Sequence, residues 1–172
     1  SEGLAVLFQR LSKTSPRVNI VRAFEDGDFV FAHTEYDFSR RNIGFEVFRF
    51  EDGRAVEHWD NIQPRLGPNQ SGRSMVDGPT AAVDHELTEH NRALVRSFVE
   101  TVLVDGRLER LPDYIGDDDY VEHNPHLADG ASTLREVLES ADTDLRHIDY
   151  HRVHRVLAEG NFILCVSEGN YA

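Results

Sequence analysis

The two ends of this chain repeat one another. "GLAVLFQRL" (3–11) matches "GASTLREVL" (130–138), with the glycine and two leucines in step. "VRAFEDGDFVFAHTEY" (21–36) matches "HRVLAEGNFILCVSEG" (154–169), pairing Gly27 with Gly160, Phe29 with Phe162 and Glu35 with Glu168. A repeat constrains the fold strongly, because each copy has to be the same structural unit. The chain therefore reads as parts of two copies. The first lacks its opening helices, and the second lacks the closing hairpin that carries His58 and Asp60 in the first. The expectation from such a pattern is a fragment, a trimmed chain or a permuted arrangement.

Local signals fill in the units. Leu4, Leu7, Phe8 and Leu11 recur at helical spacing, and Pro16 ends that helix. "VNIVRAF" and "FVFAHTEYDF" read as strands joined at "EDGD", and "GFEVFRF" and "RAVEHWDNI" as strands joined at "EDGR". Asp-Gly between two β-rich runs is a strong hairpin signal. Residues 63–86 are rich in Pro, Gly, Ser and Asn, which is linker chemistry. Thr88 is placed to cap a helix whose apolar stripe is Leu94, Val95, Phe98 and Val102. "RLERLPDYI" and "ASTLREVLESA" predict further helices, and the end of the chain returns to strands around "AEGN". The organisation is a sheet-rich part (1–64), a linker (65–86) and a helix-rich part (87–172). The linker is long enough for the two halves to meet and complete one domain, since extended chain covers about 3.3 Å per residue.

Composition narrows the partners. The net charge of −13 argues against a nucleic-acid or anionic-membrane surface, which needs a basic footprint. No apolar run is long enough to span a bilayer and no secretory leader is visible, so the expectation is a soluble, cytoplasmic protein. Seventeen of the 18 cationic residues are arginine, which suits a GC-rich bacterial genome. Cys165, in an apolar strand pattern, reads as a buried structural thiol.

The order helix, helix, "DYVEHNP", helix, hairpin, hairpin, with "GRAVEHWD" in the last strand, resembles the SnoaL-like polyketide cyclase family of the nuclear-transport-factor-2-like superfamily. The "NQSGRSMVDGPT" stretch between two copies resembles its tandem subgroup of predicted aldol-condensation-catalysing enzymes. The resemblance implies an α+β fold of the cystatin-like cone type: a curved antiparallel sheet wrapped around helices, with an apolar pocket. It also implies pairing into a homodimer, a small apolar carbonyl-containing ligand and no cofactor.

Strand alternation puts Val56, His58, Asp60 and Ile62 on one side and Ala55, Glu57, Trp59 and Asn61 on the other. A carboxylate among apolar neighbours has a raised pKa, which suits proton transfer beside a carbonyl. The resemblance makes Asp60 the proton-transfer group, with His58 orienting it or polarising the substrate oxygen. A hydrogen-bonded pair on a solvated strand is the bland alternative. His123 suits the oxyanion role, with Asn124 and Tyr120 beside it as substrate contacts. His33 and Glu35 share a face with Phe29 and Phe31, which suits a pocket wall or a dimer face. Trp59 completes the candidate substrate contacts.

No metal site is expected. Pro125 separates His123 from His126, His151 and His154 point to opposite faces of a strand, and no HExxH or paired-cysteine motif is present. The favoured activity is an aldol cyclisation or isomerisation. The competing classes are a non-catalytic binding module and a dimerisation unit of the same fold. Epoxide hydrolysis would want a second carboxylate and a bridging arginine, and no such spacing stands out.

Overall fold

The computed structural model describes residues 17–38, 40–116, 119–140 and 148–171. The helix expected over 3–14 lies outside the described residues. The described chain is α+β, with a four-stranded antiparallel sheet, a two-stranded antiparallel sheet and a few helices. It divides into two units. Ser1–Leu66 and Gly78–Ala81 make the first, and Gly67–Asp77 and Ala82–Ala172 the second, so residues 65–86 contribute to both.

The first unit is a meander of β1 (Arg17–Asp26), β2 (Phe29–Asp37), β3 (Arg41–Glu51) and β4 (Arg54–Pro64), paired in that order. The β3–β4 turn has Asp52 at φ 50° and Gly53 at φ 72°. Positive φ at both central residues is the twist-matched hairpin turn, which the Asp-Gly pair adopts readily. One sheet face buries Phe24, Phe31, Ile43 and Val47, each under 8% exposed. On the other face Ala32, Thr34 and Glu46 are buried too.

The second unit holds a short 3₁₀ turn (His85–Leu87), α1 (Thr88–Phe98) running into a π-helical turn (Val99–Val104), and a second 3₁₀ segment (Leu108–Asp113). These are followed by α2 (Ala131–Glu139), β5 (Ile148–Glu159) and β6 (Phe162–Tyr171). Its core is Met75, Val99, Val102, Leu111, Ala131, Val156, Leu157 and Ala158. Thr88 opens α1 but makes no side-chain cap. Its hydroxyl donates to His85 O at 2.7 Å and accepts Gly160 N–H at 2.8 Å, tying the helix start to the β5–β6 turn.

The repeat is visible in the hairpins. Gly27 and Gly160 sit at the β1–β2 and β5–β6 turns with φ of +57° and +58°. In β1–β2 the pairing passes from Ile20–Thr34 to Arg22–His33, leaving Val21 as a bulge. In β5–β6 it passes from Val153–Ser167 to Arg155–Val166, leaving His154 as a bulge at the matching position. The acid matches as well: Asn19 Nδ2 donates to Glu35 at 3.3 Å, and Arg152 Nε donates to Glu168 at 2.9 Å. No helix among the described residues is long and apolar enough to cross a membrane.

Candidate functional site

The β3–β4 register sets up the site. Glu46 pairs with Asp60 and Phe48 with His58, and directly paired residues of antiparallel strands share a face. Glu46, His58 and Asp60 therefore stand together on one side of the sheet, with Tyr36 on the neighbouring strand. Glu46 is the buried member, with a side chain only 6% exposed, while the His58 side chain is 43% exposed. Asp60 is exposed, like the rest of β4.

Taking a carboxylate out of water costs several kcal/mol unless its oxygens are paired. Both oxygens of Glu46 are used. Oε1 accepts a short hydrogen bond from the Tyr36 hydroxyl, and Oε2 lies 2.7 Å from His58 Nε2. The His58 ring stacks on Phe48 with centroids 4.3 Å apart and planes 12° apart, which fixes its orientation. Burial, followed by the hydrogen bond to Glu46, pushes the Tyr36 phenol above its ordinary pKa.

Gly44 makes the Tyr36–Glu46 bond geometrically possible. A Cβ there would lie 2.7 Å from Glu46 Oε1, 2.8 Å from Tyr36 Cε2 and 2.9 Å from Thr34 Oγ1. Glycine inside a strand weakens it, and it often marks such a close approach. Here it leaves room for the tyrosine ring to lie across β3.

The opposite face carries other candidates. His33 is buried and meets Phe45 edge-on, with centroids 4.7 Å apart. Glu35 is held by Arg65 at 2.6 Å and by Asn19. Trp59 lies near Phe29, at 6.4 Å, and is 45% exposed. The sheet itself separates His33, Glu35 and Trp59 from His58 and Asp60.

The remaining candidates belong to the second unit. Glu122 organises them. Its Oε1 accepts the backbone N–H groups of His123 (2.9 Å) and Asn124 (2.8 Å), and its Oε2 accepts the Tyr120 hydroxyl (2.9 Å). Asn124 Oδ1 accepts His126 N–H in turn, so its side chain shapes the turn at Pro125. His123 Nδ1 lies 2.9 Å from Ser74 O and 2.8 Å from Asp77 Oδ1. Nδ1 is therefore the protonated, donating nitrogen. Burial first, then the charge of Glu122, pushes the Tyr120 phenol far above its ordinary pKa.

Much of residues 69–77, part of the Pro/Gly/Ser/Asn-rich stretch, is tied to this loop. Buried Asn69 accepts the N–H groups of Ser71 and Arg73 and donates to Glu122 O at 2.8 Å. Arg73 donates to Asp129 at 2.9 Å, which holds that carboxyl below its ordinary pKa. Cys165 is half-buried in β6, and burial pushes its thiol up.

Sequence reasoning does not single out Glu46 or Glu122, and it reads Tyr36 as a packing residue, whereas its hydroxyl donates to Glu46. Their signal is register and loop closure rather than motif. No protein-family model matches the chain, and a search of curated proteins finds no match.

Proposed function

We propose that the chain is a SnoaL-like small-molecule enzyme of the cone-shaped, nuclear-transport-factor-2-like kind, working by general acid/base proton transfer next to a carbonyl. The observation that supports this is the buried Glu46 carboxylate gripping His58 Nε2 at 2.7 Å on an open strand face. With Nε2–H donated to Glu46, the lone pair of the neutral ring is on Nδ1, which has no partner among the described residues. A carboxylate that holds one ring nitrogen fixes the tautomer and stabilises the imidazolium.

The chemistry follows. Nδ1 takes a proton from the carbon beside a substrate carbonyl, giving an enolate and an imidazolium. Glu46 and Asp60 offset the new positive charge. Returning the proton to a different carbon completes an isomerisation. Attack of the enolate carbon on a second carbonyl closes an aldol ring, and the imidazolium then protonates the alkoxide. No cofactor is required by these steps. Phe48 and Ile62 offer apolar surface on the same face, which suits a small, mostly apolar substrate.

This reading changes the roles expected from sequence. His58 carries the proton, and Asp60 attends it. His123 is a weak oxyanion donor when neutral, because its N–H is committed to Ser74 and Asp77 and Nε2 can only accept.

The test is deuterium exchange of carbon-bound protons, followed by NMR in D₂O, over a panel of small cyclic ketones and β-diketones. The expected result is exchange by the wild-type chain and a loss of about 10²–10⁴-fold in His58→Ala. Exchange no faster than buffer across the panel, or His58→Ala matching wild type, overturns it. A homodimeric binding module is the second reading. It is supported by Phe45 and Trp59, 40% and 45% exposed on the opposite sheet face. On that reading His58→Ala alters ligand affinity with no turnover to lose.

A further inference from the structure

We infer that Glu46, His58 and Asp60 form a binding site for a divalent cation of the zinc class, and that the bound ion switches proton transfer off. The second half of this inference rests on the function proposed above, and the first half stands without it.

The donors are one imidazole nitrogen and two carboxylates, and their ligand atoms all lie within 4.8 Å of one another. Imidazole with carboxylate suits zinc and its borderline neighbours rather than calcium or magnesium, which take oxygen shells. Two carboxylates with a neutral imidazole balance a charge of +2. Tetrahedral bonds of about 2.0–2.2 Å set donor atoms roughly 3.4 Å apart. His58 Nε2 and Glu46 Oε2 start at 2.7 Å and open slightly. Asp60 closes by a side-chain rotation, which its exposure on β4 allows. The outward side is left for water, as in sites with three protein ligands.

The surroundings are those of a built site. Glu46 is fixed from behind by the Tyr36 hydroxyl, so one carboxylate oxygen is anchored while the other faces His58. Partners of this kind orient metal ligands and raise affinity. Phe48 holds the imidazole plane. The ion takes the place of the proton shared between Glu46 and His58.

The switch follows from the tautomer. Coordination through Nε2 requires the lone pair there, so the ring proton moves to Nδ1. The base then has no lone pair for a substrate proton. Zinc binding and proton abstraction by His58 are mutually exclusive.

The experiment uses the full chain, stripped with chelator, and titrated with Zn²⁺ by calorimetry and with Co²⁺ by visible absorption. One equivalent is expected to bind in wild type. Affinity should fall about tenfold or more in each of Glu46→Gln, His58→Gln and Asp60→Asn, and stay unchanged in His154→Gln. Circular dichroism of each variant controls for folding, and exposed Asp60→Asn keeps the test valid if Glu46→Gln does not fold. Equal affinity in wild type and Asp60→Asn overturns the site. Deuterium exchange is then measured with and without Zn²⁺. Inhibition reversed by chelator supports the switch, and exchange unaffected by bound Zn²⁺ overturns it. Binding lost in the three variants, in a chain with no exchange at all, retains the site and removes both the switch and the proton-transfer reading.

Discussion

At the scale of single residues, Glu46 shows what a buried charge demands of its neighbours. It needs Tyr36, and Tyr36 needs the space over Gly44. Gly44→Ala is expected to destabilise the chain by about 1–3 kcal/mol, the usual cost of forcing extra atoms into a packed site. Urea denaturation checks this, and a variant as stable as wild type would show that the Tyr36 ring does not lie over Gly44. The tyrosines also give a pH prediction. Burial raises the phenols of Tyr36, Tyr120 and Tyr150, and in Tyr120 the charge of Glu122 adds to it. A folded state that holds phenolic protons more tightly than the unfolded chain is stabilised fully below the ordinary tyrosine value of about 10, and loses that contribution as pH rises above it. Tyr114, lowered by its hydrogen bond to Ser97, ionises first. Tyrosinate absorbance should therefore rise in stages, with the buried phenols ionising together with loss of circular dichroism. Reversible titration of every tyrosine near pH 10 with an intact spectrum would contradict this.

At the scale of elements, the two hairpin glycines separate two effects. Gly27 and Gly160 have the same φ, but a Cβ on Gly27 meets nothing within 4 Å, whereas on Gly160 it would lie 2.0 Å from Val83 O. Gly27→Ala is expected to cost about 1–2 kcal/mol, for the left-handed conformation alone. Gly160→Ala is expected to cost more, because the backbone of Val83, bonded to Asn161 at both ends, has to move. Chemical denaturation of the pair decides it, and equal losses would mean that the Val83 contact is not maintained. The hairpins themselves were legible in the sequence, because Asp-Gly and Glu-Gly turns between β-rich runs leave few alternatives. The pairing of Glu46 with Asp60 was not. Counting back from the turn pair Glu51–Arg54 places Glu46 opposite Trp59, facing away from His58. A bulge at Val56, between Phe50–Ala55 and Arg49–Glu57, moves the register by one and brings the acid round. Composition likewise marks residues 63–86 as irregular but does not show that Asn69 would be buried as the hub of an ordered loop, since side-chain bonds to backbone satisfy such a segment locally.

At the scale of the whole molecule, the sequence repeat and the two described hairpins tell one story through different signals. Residue identities agree at only some positions, yet turn conformation and pairing register agree from the turn out to Glu35 and Glu168, beyond which a second bulge at His151 has no counterpart in β1–β2. Side chains at equivalent places have meanwhile diverged in what they contact. The bulge residue is Val21 in one copy and His154 in the other, where its imidazole lies 2.9 Å from Glu168. A bulge adds one residue to one strand, so it is gained or lost by insertion or deletion rather than by substitution. Two independent insertions at matching points are a poor explanation for the coincidence. One origin for both hairpins accounts for the bulge shared by Val21 and His154, and leaves the bulge at His151 as a feature of the second hairpin alone.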